Sequence, residues 1–137
     1  MTDKQSPGFK DRRFFRRVHD SFFVTYNVQT PFAVRVKLGD KECDAVVQDI
    51  GEGGMGLLTN YDIPASALLT LKFMIFNDLA SEDKDRSRRF ELGGEVRYKV
   101  YTQDKAYRLG VAFVKISEAE RYFIADYVQT QALKPKS

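Results

Sequence analysis

The residues best suited to bind an anion lie near the start of the chain. Four arginines fall within six positions there, interleaved with two phenylalanines, in the run Asp11-Arg12-Arg13-Phe14-Phe15-Arg16-Arg17-Val18. The rigid fork of an arginine donates paired, charge-assisted hydrogen bonds to phosphate oxygens or to O6 and N7 of guanine, and its flat face stacks on a purine. Each charged contact is worth on the order of 1.5–3 kcal/mol. The candidates for binding a phosphate or a purine are therefore Arg12, Arg13, Arg16 and Arg17.

The alternative for this segment is a solvated basic arm with no ligand. Phe14 and Phe15 count against it, because two phenylalanines exposed in a free tail need something to pack against.

A glycine-rich stretch about thirty residues later has complementary chemistry. It reads Asp49-Ile50-Gly51-Glu52-Gly53-Gly54-Met55-Gly56-Leu57. Asp49 ends a predicted strand, and the glycines after it allow close approach of backbone to a ligand. A carboxylate there can accept from N1–H and the exocyclic amine of guanine. The alternative is that Asp49 only accepts from amides of the turn. We predict that this stretch and the arginines close on one anionic nucleotide from opposite sides.

Composition indicates one globular domain. The 137 residues, 43% of them apolar, suffice for one core without a metal or disulfide, and the single Cys43 is predicted to be a reduced core or strand residue. One cysteine and one histidine offer neither a metal-ligand cluster nor a nucleophile–base pair, so no enzyme, cofactor or metal is expected. The charged N-terminus and the lack of a long apolar stretch predict a soluble, cytoplasmic protein without a membrane span.

The net charge is concentrated in one segment. Residues 1–20 carry six positive and three negative charges, which equals the whole net charge of +3. A focused basic arm on a neutral body favours a local anion site, whereas coating DNA needs a broader basic face.

Apolar alternation and glycine positions predict the strands. Residues 1–10 are taken as a disordered lead-in, residues 77–89 as a mobile, solvated loop, and Gly93-Gly94 as a bulge or bend. The predicted strands are 22–28, a hairpin of 32–37 with 43–49, then 55–59, 68–76, 90–101 and 107–115.

The last segment changes to helical periodicity. Ser117 and Glu120 form a capping box, and one apolar stripe follows before the helix ends near Leu133, ahead of Pro135. The predicted fold is mainly β: a small six- to seven-stranded antiparallel barrel with a C-terminal α-helix. The predicted division is a flexible basic arm over residues 1–20 and the barrel plus helix over 21–133. The stripe consists of Phe123, Ile124, Tyr127 and Val128.

The order and spacing of these motifs resemble the PilZ domain family over roughly residues 10–130. Arg12/Arg16 and Arg13/Arg17 both fit the family's Arg-x-x-x-Arg element, and residues 49–54 fit its Asp-x-Ser-x-x-Gly element. The late strands are similar too, in Leu92-Gly93-Gly94-Glu95-Val96 and Tyr107-Arg108-Leu109-Gly110-Val111-Ala112-Phe113.

The resemblance implies a six-stranded barrel that binds the bacterial second messenger cyclic di-GMP. The arginine pair would contact phosphates and guanine faces, and the turn at Asp49, Gly51, Gly53 and Gly54 would hold a guanine edge. Ordering of the arm would then be the signal to a protein partner. Motility, adhesion, polysaccharide secretion and biofilm formation are all open as the regulated process. Gly51 replaces the family's serine, which costs about 0.5–1.5 kcal/mol for one lost hydrogen bond. Arg108 is a further candidate for a phosphate contact.

Two other functions remain open from the sequence. A degenerate PilZ-like adaptor that binds only protein is favoured by Gly51. Binding of single-stranded nucleic acid through the arginine–phenylalanine arm is disfavoured by the absence of a wider basic face.

Overall fold

A computed structural model describes residues 17–76 and 87–132, with side chains described from residue 22 onward. These residues form six strands and two helices. In chain order they are β1 (Arg17–Thr30), α1 (Phe32–Lys37), β2 (Cys43–Gly51), β3 (Gly54–Thr59), β4 (Leu68–Phe76), β5 (Ser87–Tyr101), β6 (Tyr107–Val114) and α2 (Glu118–Ala132).

The six strands close into one antiparallel barrel in the order β1-β2-β3-β6-β5-β4. The long strand β1 pairs with β2 on one side and with β4 on the other, which closes the ring. The predicted mainly-β barrel with a C-terminal helix is therefore confirmed.

Alternating apolar side chains fill the barrel, as period-2 strands require. Along β4, every second residue from Leu69 to Ile75 is buried, while Met74 and Phe76 are exposed. Cys43 is fully buried and free, as predicted. The buried hydroxyl of Tyr26 lies 2.8 Å from the Thr59 hydroxyl, so the polar end of this core tyrosine has a partner.

Residues 32–37 are the clearest wrong prediction, because they form the short helix α1 and not a strand. The Pro31 carbonyl accepts hydrogen bonds from the Val34 and Arg35 amides, at 3.1 and 3.2 Å. Strand β2 is already paired with β1 and β3, so the closed barrel leaves this segment no strand to pair with. The predicted hairpin is therefore absent: β2 pairs with β1, and α1 lies in the connection between these two strands.

Strand β5 also differs from the prediction. Gly93 and Gly94 pair regularly with both β4 and β6, and the irregularity lies between Val96 and Tyr98. The strand begins at Ser87, inside the predicted loop 77–89, and residues 77–86 lie outside the described part.

The terminal helix α2 begins with the predicted capping box. Ser117 Oγ accepts from the Glu120 amide at 3.1 Å, and Glu120 Oε1 accepts from the Ser117 amide at 2.9 Å. Of the predicted stripe, Ile124, Tyr127 and Val128 are buried and Phe123 packs partly against the core. Within the described ranges, neither helix has the length and apolar content needed to cross a membrane.

Candidate functional site

The glycine-rich stretch forms the hairpin between β2 and β3. Gly51 and Gly54 face each other across the two strands, with Glu52 and Gly53 as the half-exposed turn between them. The predicted strand followed by a tight turn is confirmed.

The start of β1 lies beside this turn. The backbone of Arg17 pairs with Gly51, and that of His19 pairs with Asp49. The chain therefore enters the barrel next to the β2–β3 hairpin. Residues 17–20 of the predicted arm have strand backbone, and Arg12, Arg13, Arg16 and the Arg17 side chain lie outside the described part.

Asp49 lies on the outer face of the barrel but is only 6% exposed. An irregularity between Val47 and Asp49 breaks the alternation of β2, so that Val47 and Ile50 both face the core and Asp49 turns outward. Arg108 covers the carboxylate, with 2.8 Å between Arg108 Nη2 and Asp49 Oδ2. The other guanidinium nitrogen, Nη1, donates to the Gln48 side-chain carbonyl.

Two outward-facing glycines form the surface on which these side chains rest. Gly56 pairs with Asp49 on one side and with Gly110 on the other. A Cβ on Gly56 would lie 2.8 Å from Arg108 Nη2 and 3.0 Å from Asp49 Oδ2, and a Cβ on Gly110 would overlap the Tyr98 ring. Because glycine has no side chain, the Arg108 guanidinium and the Tyr98 ring can lie close against the backbone of the barrel.

The electrostatics of this cluster keep Arg108 charged. Burial by itself lowers the pKa of the guanidinium, but its hydrogen bond to Asp49, its interaction with Tyr98 and the charge of Asp49 outweigh the effect of burial, so the pKa is raised. In the described ranges, no group of three or more potential metal ligands comes together.

The structure brings Asp49, Gly51, Gly53 and Gly54 together at one hairpin and adds Arg108 to Asp49. It also gives Gly54 a packing role of its own. A Cβ on Gly54 would overlap the Val111 carbonyl oxygen, so this glycine permits close packing of β3 against β6.

Sequence reasoning missed four residues of the cluster. The available signal was a glycine inside each of two apolar strand segments, where a side chain would otherwise be expected. The missed residues are Gln48, Gly56, Tyr98 and Gly110.

Comparison with known families settles the relationship. The PilZ domain model matches residues 10–130. The chain belongs to the PilZ domain family. PilZ domains are a family of cyclic di-GMP receptors, and they are ligand-binding or adaptor domains without enzymatic activity, as predicted for this chain.

Solved PilZ structures share the fold. The chain is similar to the inhibitor of motility MotI/DgrA of Bacillus subtilis, with 13% identity, a TM-score of 0.68, and 90% of this chain and 52% of that one covered. It is similar to Escherichia coli YcgR in complex with c-di-GMP, with 12% identity, a TM-score of 0.61 and coverage of 88% and 46%.

The isolated PilZ domain of Escherichia coli YcgR with c-di-GMP is 14% identical, with a TM-score of 0.55 and coverage of 88% and 94%. The chain thus spans about half the length of the first two relatives and nearly all of this domain. No curated protein matches it.

Proposed function

We propose that this protein binds cyclic di-GMP between its N-terminal arginine arm, residues 1–20, and the β2–β3 hairpin of the barrel over residues 21–133. The observation that carries the proposal is the backbone pairing of Arg17 with Gly51. Arg16 directly precedes Arg17 in the chain, and Arg13 and Arg12 lie four and five positions before it, so a ligand on the hairpin lies within their reach.

The ligand suits the two halves of this site. Its phosphates and purine faces match the arginine forks of Arg12, Arg13, Arg16 and Arg17, while a guanine edge matches two acceptor oxygens on Asp49. Gly51 and Gly53 allow the nucleotide to approach the backbone, and Gly54 holds the hairpin against β6. Arg108 is close enough to Asp49 to reach a phosphate of the same ligand.

The output of binding is an ordered arm presented to a protein partner. The likeness to an inhibitor of motility and to YcgR favours motility or biofilm control as the regulated process. We place the protein in the cytoplasm, where a second messenger of this kind acts.

A second function, a protein-binding adaptor without nucleotide, is favoured by one specific observation. Asp49 is already paired with Arg108 and nearly covered, while Gly51 lacks the hydroxyl of the family's serine.

Calorimetric titration of cyclic di-GMP into the whole chain tests the proposal. We expect saturable binding below about 10 μM, which corresponds to about 7 kcal/mol, because four charged contacts of about 1.5–3 kcal/mol each supply about 6–12 kcal/mol before association costs. The variant Asp49→Asn keeps the shape of the side chain but removes one acceptor oxygen. Replacement of all four arm arginines by lysine keeps the positive charge but removes the forked guanidinium groups. Both changes are expected to weaken binding at least tenfold.

Two controls sharpen the titration. GTP should bind far more weakly than cyclic di-GMP, and Gly51→Ser should tighten binding by about 2- to 10-fold if a hydroxyl is restored. No heat at about 100 μM ligand, from a protein with a cooperative unfolding transition, would refute nucleotide binding and leave the adaptor.

A further inference from the structure

Arg108 occupies the position in front of Asp49 that the proposed ligand needs. Its guanidinium spans two acceptors on β2, the Gln48 side-chain carbonyl and Asp49 Oδ2. The side chain of Asp49 is 9% exposed under this cover, whereas that of Arg108 is 32% exposed. Solvent therefore reaches the arginine but hardly reaches the carboxylate.

The site shows that Arg108 is held in this position by shape as well as by charge. Gly56 leaves room for the guanidinium against the barrel, and Gly110 leaves room for the neighbouring Tyr98 ring. Tyr98 also favours the charged form of Arg108. Two side chains of β2 thus bind the guanidinium of Arg108 on β6, and the Tyr98 ring of β5 lies over Gly110, two residues further along β6.

A guanine edge presents two N–H donors, and both must reach the Asp49 oxygens. With Arg108 across the carboxylate, the edge has no path to them. Resting on the proposed function, we propose that Arg108 is a latch over the guanine site: it pairs with Asp49 in the free protein and leaves it when the nucleotide binds.

The exchange is chemically balanced. Removing the Arg108 guanidinium from Asp49 is costly because the carboxylate is nearly buried, so the closed state prevails in the free protein. In the bound state the guanine N–H groups take the place of the arginine, whose released guanidinium keeps its charge and faces an anionic ligand. Opening of the latch therefore precedes binding and limits its rate.

Association kinetics with a fluorescently labelled cyclic di-GMP test the latch. Gln48→Ala removes one anchor of Arg108 without changing any charge or any residue of the proposed ligand contacts. Arg108→Lys keeps the charge but cannot span Gln48 and Asp49 at once. Both variants are expected to associate about three- to tenfold faster than the natural protein, the effect of one lost hydrogen bond to a partly exposed charge.

A matched control is Gln29→Ala, which removes the exposed hydrogen bond of 3.1 Å between Gln29 and Thr70 on β1 and β4. Its association rate is expected to stay unchanged. Thermal unfolding of each variant separates a rate effect from a loss of folded protein.

The outcomes distinguish the latch from the proposed function. Binding with equal or slower association in Gln48→Ala and Arg108→Lys would overturn the latch and leave the receptor standing. Binding by these variants but not by the natural protein would support a tightly closed latch. Absence of binding in all of them would overturn both proposals.

Discussion

Replacing Gly54 by alanine should destabilise the barrel far more than the same change at Gly56. Both glycines lie on β3, two residues apart, so strand propensity and the change in unfolded-chain entropy are matched. What differs is the neighbour of the added methyl group. At Gly54 it meets backbone of β6, overlapping the Val111 carbonyl oxygen and lying 3.1 Å from the Ala112 Cα.

The Gly54 clash can be relieved only by moving two paired strands apart. The hydrogen bond of 2.9 Å from the Phe113 amide to the Gly53 carbonyl lies next to the overlap and would be stretched with it. One or two lost ladder hydrogen bonds at about 1 kcal/mol each, plus about 1–3 kcal/mol for overpacking, give a loss of roughly 3 kcal/mol in the free energy of unfolding.

At Gly56 the new methyl group meets the ends of the Arg108 and Asp49 side chains, 2.8 and 3.0 Å away. These atoms can move by rotation about side-chain bonds, so we expect Gly56→Ala to cost about 1 kcal/mol or less. Urea denaturation measures both values. The Gly54 variant should also melt roughly 12 °C lower, at about 4 °C per kcal/mol for a domain of this size. A Gly54→Ala protein within about 1 kcal/mol of the natural one would refute the close-packing argument.

Three further predictions concern the core and the terminal helix. Tyr26→Phe removes the buried hydrogen bond to Thr59 and should cost about 1–2 kcal/mol in urea denaturation. Burial raises the pKa of Tyr26 above its usual 10.0, so the neutral phenol is favoured in the folded state. The stability that Tyr26 contributes is therefore complete below pH 10 and falls as the pH rises further. The phenylalanine variant, which has no phenol, should lose less stability than the natural protein between pH 9 and pH 11. The Cys43 thiol is buried, and burial raises its pKa. A disulfide reagent at about pH 8 should therefore modify the folded protein more than about 100-fold slower than the urea-unfolded protein. Equal rates would contradict the core position of Cys43. Ser117→Ala should cost about 1 kcal/mol by removing the cap of α2, with Ser87→Ala at an exposed strand position as the neutral control.

The parts of this fold that depend on residues close together in the sequence were predictable. The capping box at Ser117 and the β2–β3 hairpin at Asp49–Gly54 are local, and sequence spacing located both. Helix α1 was not, since its alternating Phe32–Lys37 is a good strand pattern and only closure of the barrel leaves it without a pairing partner.

The site divides in the same way. The position of Asp49 before the glycine turn follows from the sequence, but its pairing with Arg108 does not. The two residues are 59 positions apart and meet because β3 lies between their strands, with glycine at the outward position that separates them. Residue type identified Asp49 and Arg108 as ligand candidates. Only the strand order shows that these two side chains bind each other in the free protein.

Closure of the ring also restricts how this protein recognises a partner. Strands β1 and β4 pair with each other over residues 24–30 and 68–73, which closes the ring. Within this paired stretch a partner cannot bind by adding a strand to the sheet and must contact side chains instead. The domain can accordingly lie beside other domains, or beside copies of itself at high concentration, without the edge-to-edge sheet extension through which open sheets polymerise.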